Sequence, residues 1–154
     1  GRATGGVIGM RFRANDSLLS MDIVTPDSYV VTITDGGFAK RTSIDEWQAK
    51  GRGIKGVRAM KLPEERGELV GAMVCSDTDQ IFAIASNGVV IRTRVDEIRA
   101  SGRDTMGVRM MRLGEDTSVV AVARGGEADE DEVVDGEVVD GETTDTEVTK
   151  ETTE

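Results

Sequence analysis

The sequence predicts an all-β fold: a propeller-like array of four-stranded blades of about 50 residues each, followed by a disordered acidic tail. Three observations point there. The first is an internal repeat. Residues 1–12 (GRATGGVIGMRF), 51–62 (GRGIKGVRAMKL) and 102–113 (GRDTMGVRMMRL) align without gaps, their starts 50 and 51 residues apart. The second is strand patterning between these windows. The third is a split in charge along the chain, which places the ordered array and the tail at opposite ends of the sequence.

Each window carries Gly-Arg, three intervening residues, Gly-Val, then Met, a base and an apolar residue. After it comes an apolar segment, at Leu18–Val24, Leu69–Cys75 and Val119–Ala123. A second block follows, residues 29–47 against residues 80–98. In it Tyr29, Val31 and Ile33 alternate with Val30, Thr32 and Thr34, and Phe82 and Ile84 alternate with Ile81, Ala83 and Ala85. A period of two in branched residues is strand patterning. Gly36-Gly37 and Asn87-Gly88 supply the positive φ of tight hairpin turns. Phe38–Thr42 and Val89–Thr93 are then the returning strands, and Asp45-Glu46-Trp47 and Asp96-Glu97-Ile98 predict short helical turns. The third unit has its turn, a strand at Arg109–Leu113 and a strand at Val119–Ala123, and stops at Gly125-Gly126. The expectation is a C-terminal fragment of a longer array, with blades over 1–124.

The chain of 154 residues has a formal charge of −10, which argues at first against a nucleic-acid partner. Residues 125–154 hold 13 acids and the single base Lys150, so residues 1–124 carry a net charge of +2. The tail over 125–154 has no aromatic residue and too little apolar surface to offset its ordering entropy, which predicts disorder. Asp129-Glu130-Asp131 with Asp135-Gly136 lacks the glycine at the sixth position of a calcium loop, so no metal is assigned there.

Composition removes several chemistries. With 0 His there is no His-Cys zinc site, no Ser-His-Asp triad and no histidine base. The lone Cys75, in an apolar run, reads as a buried thiol and allows no internal disulfide. No apolar run reaches membrane-spanning length and no signal peptide opens the sequence. A cytoplasmic protein without a membrane partner is expected. Gly51-Arg52-Gly53-Ile54-Lys55-Gly56 spells the dinucleotide fingerprint, but it precedes a strand pattern, and the other copies replace its second glycine by Ala3 and Asp104. It reads as a repeat turn. Tyr29, Trp47 and the repeated Met10, Met60 and Met111 read as packing residues.

The turns also repeat bases: Arg2 and Arg11; Arg52, Lys55, Arg58 and Lys61; Arg103, Arg109 and Arg112. The returning strands add Lys40-Arg41 and Arg92-Thr93-Arg94. Equivalent positions of successive blades point the same way, so these bases are expected to form an arc along the rim. Arginines on glycine-rich turns approach phosphates closely, and the 3% aromatic content favours a duplex backbone over stacked single strands. The residues alone leave open a DNA-binding arc, a solvated rim and a protein-interaction propeller.

The serial Gly-Arg-x-x-x-Gly-Val turns, Val30–Thr34 leading through Gly36-Gly37 to Lys40-Arg41-Thr42, Val89–Thr93 with Arg92-Thr93-Arg94-Val95, and the acidic tail together resemble the C-terminal domain of DNA gyrase A. The resemblance covers residues 1–124 and, in character, the tail. It implies a β-pinwheel whose basic perimeter wraps double-stranded DNA in support of ATP-dependent negative supercoiling. It also implies partners: gyrase B and the rest of gyrase A in an A2B2 heterotetramer. The implied DNA-contact residues are the bases named above. Catalytic residues, ATP and magnesium would lie elsewhere in such an enzyme, with no cofactor in this segment. The family's Q-R-R-G-G-K-G box is absent; Lys50–Gly56 keeps Arg52, Gly53, Lys55 and Gly56 but has Ile54 in place of a glycine. That departure keeps the corresponding C-terminal domain of topoisomerase IV as an alternative. The tail is expected either to compete with phosphate for the rim or only to solubilise.

Overall fold

A computed structural model describes residues 1–127 of the chain. Within them two antiparallel hairpins form the frame: β1 (Tyr29–Thr34) with β2 (Phe38–Ser43), and β4 (Asp79–Ala85) with β5 (Val90–Arg94). The other strands are β3 (Leu69–Cys75), β6 (Val108–Arg109) and β7 (Val119–Glu127). The hairpins stand where the alternation predicts them, within two residues at each end. In both loops the positive φ falls on the second residue of the expected pair, Gly37 at 80° and Gly88 at 87°. The Gly37 N–H donates to Thr34 O and the Gly88 N–H to Ala85 O. Each loop is therefore a turn closed by a left-handed glycine, a common three-residue hairpin connection. Gly36 is needed for a different reason: a Cβ there would sit 2.6 Å from Arg66 O. The expected helical turns are present as short 3-10 segments at Ile44–Glu46 and Val95–Glu97.

The sequence repeat and the sheet do not coincide. A blade was expected to be four consecutive strands of one unit. Instead the four-stranded sheet runs β3-β1-β2-β6, taking its hairpin from the first repeat, β3 from the second and β6 from the third. The other sheet, β5-β4-β7, takes its hairpin from the second repeat and β7 from the third. Each hairpin thus recruits, beside its first strand, the apolar strand of the following repeat. Beside its second strand, the first hairpin also recruits the post-turn strand two repeats on. This arrangement makes neighbouring repeats inseparable, because the ladder hydrogen bonds within each sheet cross repeat boundaries.

The same rule explains three departures from expectation. Residues 18–24, patterned like β3 and β7, form no strand, because no hairpin among the described residues stands beside them; Met21 and Ile23 are 88% and 87% exposed. The strand expected over 109–113 is only two residues long, since the Met110 and Met111 N–H groups both turn to Gly37 O instead of continuing the ladder. Finally, β7 runs to Glu127, past the expected end of the blades, with Gly125 opposite Gln80 and Glu127 opposite Asp79. The tail beyond, with its expected disorder and its Asp129–Gly136 segment, lies outside the described residues.

The core forms where the first sheet packs on the second. Val31, Ile33, Ala39 and Cys75 meet Ile81, Val95 and Ile98 in one cluster, and Ala83, Ala85, Met111 and Val119 form another. Fully burying each branched side chain stabilises the fold by about 1.5–3 kcal/mol. The sheets approach so closely at Gly71 that a Cβ there would lie 2.0 Å from the Val122 Cγ2. Cys75 is buried as expected, and burial, with help from Asp79, pushes its thiol up to about 11. Met60 and Met111 fill the core; Met10 does not, at 49% exposed. Among the described residues no helix is long and apolar enough to cross a membrane.

Candidate nucleic-acid interface

The glycine of each Gly-Val pair has left-handed backbone: Gly6 at φ 76°, Gly56 at 81° and Gly107 at 73°. That conformation reverses the chain out of the Gly-Arg turn and into the following strand, which is why glycine recurs there. Around Gly51–Gly56 the turn opens no helix. Gly53 donates its N–H to Gly9 O, and Arg11 meets the second turn through its N–H on Ile54 O and its Nε on Gly53 O. The dinucleotide-like spelling is a repeat turn, as the other copies suggest.

The third turn is the most tightly knit. Lys40 on β2 reaches it with Nζ, donating to Gly102 O at 2.7 Å, Arg103 O at 2.5 Å and Thr105 Oγ1 at 3.3 Å. Thr105 Oγ1 also donates to Gly102 O, and the Arg103 N–H donates to a Glu46 carboxylate oxygen. The Arg103 guanidinium lies over the Trp47 ring, 5.7 Å from its centroid, and reaches Arg58 O. Arg58 in turn pairs with Asp104 at 3.1 Å. One turn therefore ties together side chains from all three repeats.

One of the expected DNA contacts needs correction, and a second is partly engaged within the chain. Lys40 has no exposed surface: its stem lies under the third turn and its ammonium holds carbonyls, because an unpaired charge is not tolerated in a site this buried. Burial lowers its pKa, Glu46 and Asp104 raise it, and Arg103 lowers it further; the net is a shift downward. Arg41 is half-buried. It lies over the Tyr29 ring, 4.6 Å from the centroid, and donates to Ile98 O and Asp96 O, closing the 3-10 turn at Val95–Glu97. Lys40 is a structural clamp; Arg41 is engaged within the chain while part of it stays exposed. The position equivalent to Lys40 in the next repeat is Ile91, which shows that the inward face, not the charge, is the repeated feature.

The remaining expected bases divide in two. Arg11, Arg58, Arg94 and Arg103 are engaged within the chain, Arg94 by two hydrogen bonds to Asp96 that raise its pKa and lower that of the carboxyl. Arg2, Arg52, Lys55, Lys61, Arg92, Arg109 and Arg112 are all exposed. Their charged groups make no hydrogen bond or ion pair among the described residues. On β5 the alternation places Arg92 and Arg94 on the outward face while Ile91 and Thr93 turn inward.

Sequence reasoning missed Arg66. Its guanidinium stacks over Phe38 at 4.0 Å from the ring centroid, and Arg109 approaches the same ring at 5.2 Å. Two guanidiniums are thus held at the tip of the first hairpin by one aromatic ring. Arg66 lies on a 3-10 turn that no other repeat carries, so periodicity contained no signal for it. Asp104 and Glu46 were also missed as members of the third turn, although Asp104 stands out in the alignment where the other copies have Ala3 and Gly53.

Comparison with known proteins favours one of the families considered. The profile of the family described as DNA gyrase C-terminal domain, beta-propeller, matches residues 1–25, 28–76 and 79–124. The chain belongs to the DNA gyrase C-terminal domain family. DNA gyrase A of Streptomyces coelicolor is 55% identical over 137 residues, covering 88% of this chain and 16% of that protein. The Mycolicibacterium smegmatis gyrase A is 50% identical over 135 residues, again 88% of this chain and 16% of the relative. The chain therefore spans a small part of these relatives. A solved gyrase A C-terminal domain superposes with a TM-score of 0.71 at 24% identity, covering 77% of this chain and 41% of that one. The solved C-terminal domain of DNA topoisomerase IV gives 0.73 at 25% identity, over 79% and 38%. Both solved domains share the pinwheel fold that the resemblance implied, while the two high-identity relatives are gyrases.

Proposed function

We propose that this chain is a non-catalytic, DNA-binding and DNA-wrapping part of DNA gyrase A. In that role it supports ATP-dependent negative supercoiling by a type IIA topoisomerase. Its partners are double-stranded DNA, gyrase B and the remainder of gyrase A; ATP and magnesium act elsewhere in the assembly. The observation that carries the reading is the set of exposed bases whose charged groups make no hydrogen bond or ion pair among the described residues: Arg2, Arg52, Lys55, Lys61, Arg92, Arg109 and Arg112, all but Lys55 at positions where another repeat also carries a base. A solvated surface needs no such recurrence, whereas a phosphate backbone running past successive blades meets one basic turn after another. Such contacts fix the duplex without reading its bases, so sequence enters only through the ease of bending. Arg66, held on Phe38 beside Arg109, adds a further basic group at a hairpin tip.

Wrapping is tested by binding the full chain to nicked circular DNA, sealing the nick and removing the protein. A wrapped duplex leaves a shift in linking number that grows with protein added. Retention of the DNA with an unshifted linking number would mean binding without wrapping.

A further inference from the structure

The three turns are not electrostatically equal. At the position after the repeated arginine the chain has Ala3, Gly53 and Asp104. The second turn therefore presents Arg52 and Lys55 with no acid inside it. In the third, Asp104 Oδ1 takes the Arg58 Nη1 at 3.1 Å, and Glu46 accepts the Arg103 N–H at 3.2 Å. Beneath, Lys40 fixes the carbonyls of Gly102 and Arg103, so Asp104 is displayed on a rigid support. Both partners of the Arg58–Asp104 pair are open to solvent, with side chains 65% and 74% exposed. An ion pair so exposed adds little to stability, and the support Asp104 gives the buried Lys40 ammonium is shared with Glu46, so the pairing with Arg58 itself is not a requirement of the fold.

We infer that Asp104 is an attenuating residue of the DNA interface: it holds Arg58 away from the duplex and marks the third turn as a weak point of the basic path. The ligand it acts against is the phosphodiester backbone. A phosphate approaching Arg58 must displace the Asp104 carboxylate and is repelled by it, whereas a phosphate at Arg52 or Lys55 meets no such competitor. The duplex is therefore held firmly at the second turn and loosely at the third, where it can peel away. This inference rests on the DNA-binding reading above and refines it by grading the contacts.

The experiment is duplex binding by the full chain at several salt concentrations, with Asp104→Asn and Asp104→Gly, the latter restoring the residue of the second turn. Both variants should fold with at most a small loss of melting temperature, since Glu46 still supports the Lys40 ammonium, and bind duplex about 3–10-fold more tightly at low salt. The slope of log K against log salt should steepen by up to about 0.9, the value for one added phosphate contact. Combined with Arg58→Ala, the gain should disappear. Unchanged or weaker binding by both variants, while Arg52→Ala with Lys55→Ala weakens binding, would overturn the inference and leave the DNA-binding reading standing. A gain that persists without Arg58 would overturn the assigned pair. Failure of every form to retain duplex would overturn both readings together.

Discussion

Replacing Lys40 by alanine is expected to lower the stability of the fold by about 3–4 kcal/mol, a large effect for one substitution. Two losses add. The stem is fully buried, so truncation leaves a cavity under the third turn. The ammonium also serves Gly102 O, Arg103 O and Thr105 Oγ1. Without it Gly102 O keeps the Thr105 hydroxyl, but Arg103 O loses the Lys40 donor, at about 1–3 kcal/mol for a buried acceptor left unmade. Lys40→Met separates the terms by keeping the stem, and about 1–2 kcal/mol is expected for it from the lost hydrogen bonds. Denaturant unfolding of the three forms measures both. The methionine form should retain the salt dependence of DNA binding, because this ammonium cannot reach a phosphate; a weakened slope would return Lys40 to the interface.

Gly107→Ala is expected to cost about 3 kcal/mol for reasons that have nothing to do with charge. Its φ of 73° alone penalises any side chain by about 1–2 kcal/mol. A Cβ would in addition sit 2.6 Å from Ala39 O and 2.8 Å from the Met60 Cε. Methionine can move, but Ala39 is in β2 and its carbonyl is held by the sheet, so β6 must retreat from its partner strand. Gly56→Ala provides the comparison: the same left-handed φ, with only the Met10 Cε within 4 Å. Thermal melts should show the Gly56 form near the conformational penalty alone and the Gly107 form well below it. Equal losses would mean that the close approach to Ala39 has no energetic weight.

The fold was legible in the sequence wherever a signal was local. The two hairpins announced themselves by alternation and by Gly37 and Gly88, and the 3-10 turns by Asp45-Glu46 and Asp96-Glu97. What could not be read was partnership across repeats. Nothing local in Val108-Arg109 says that it pairs with Phe38-Ala39, two repeats earlier, or that residues 18–24 are left without a hairpin while the similarly patterned Leu69–Cys75 is paired. Strand pairing is a non-local choice, and a repeat offers several partners of equal local merit.

The candidate site shows the same limit. Periodicity found most of the exposed bases, because every copy of the turn carries a base at its second and eleventh positions. Charge alone swept in Lys40, whose inward placement depends on which face of β2 is covered, and periodicity passed over Arg66, which occurs once. Charge alone does not distinguish a clamp from a contact; burial and partners do.

The central claim, that the uncommitted bases on the repeated turns hold duplex phosphates, is tested most directly by one comparison. Duplex affinity of the full chain is measured across a range of salt concentrations, beside a form carrying Arg52→Ala, Lys55→Ala and Lys61→Ala. The parent's log K should fall steeply and linearly with log salt, and the triple form's slope should be shallower by up to about 2.7, three contacts at about 0.9 each. A salt-independent affinity in the parent, or identical slopes in the two forms, would contradict it.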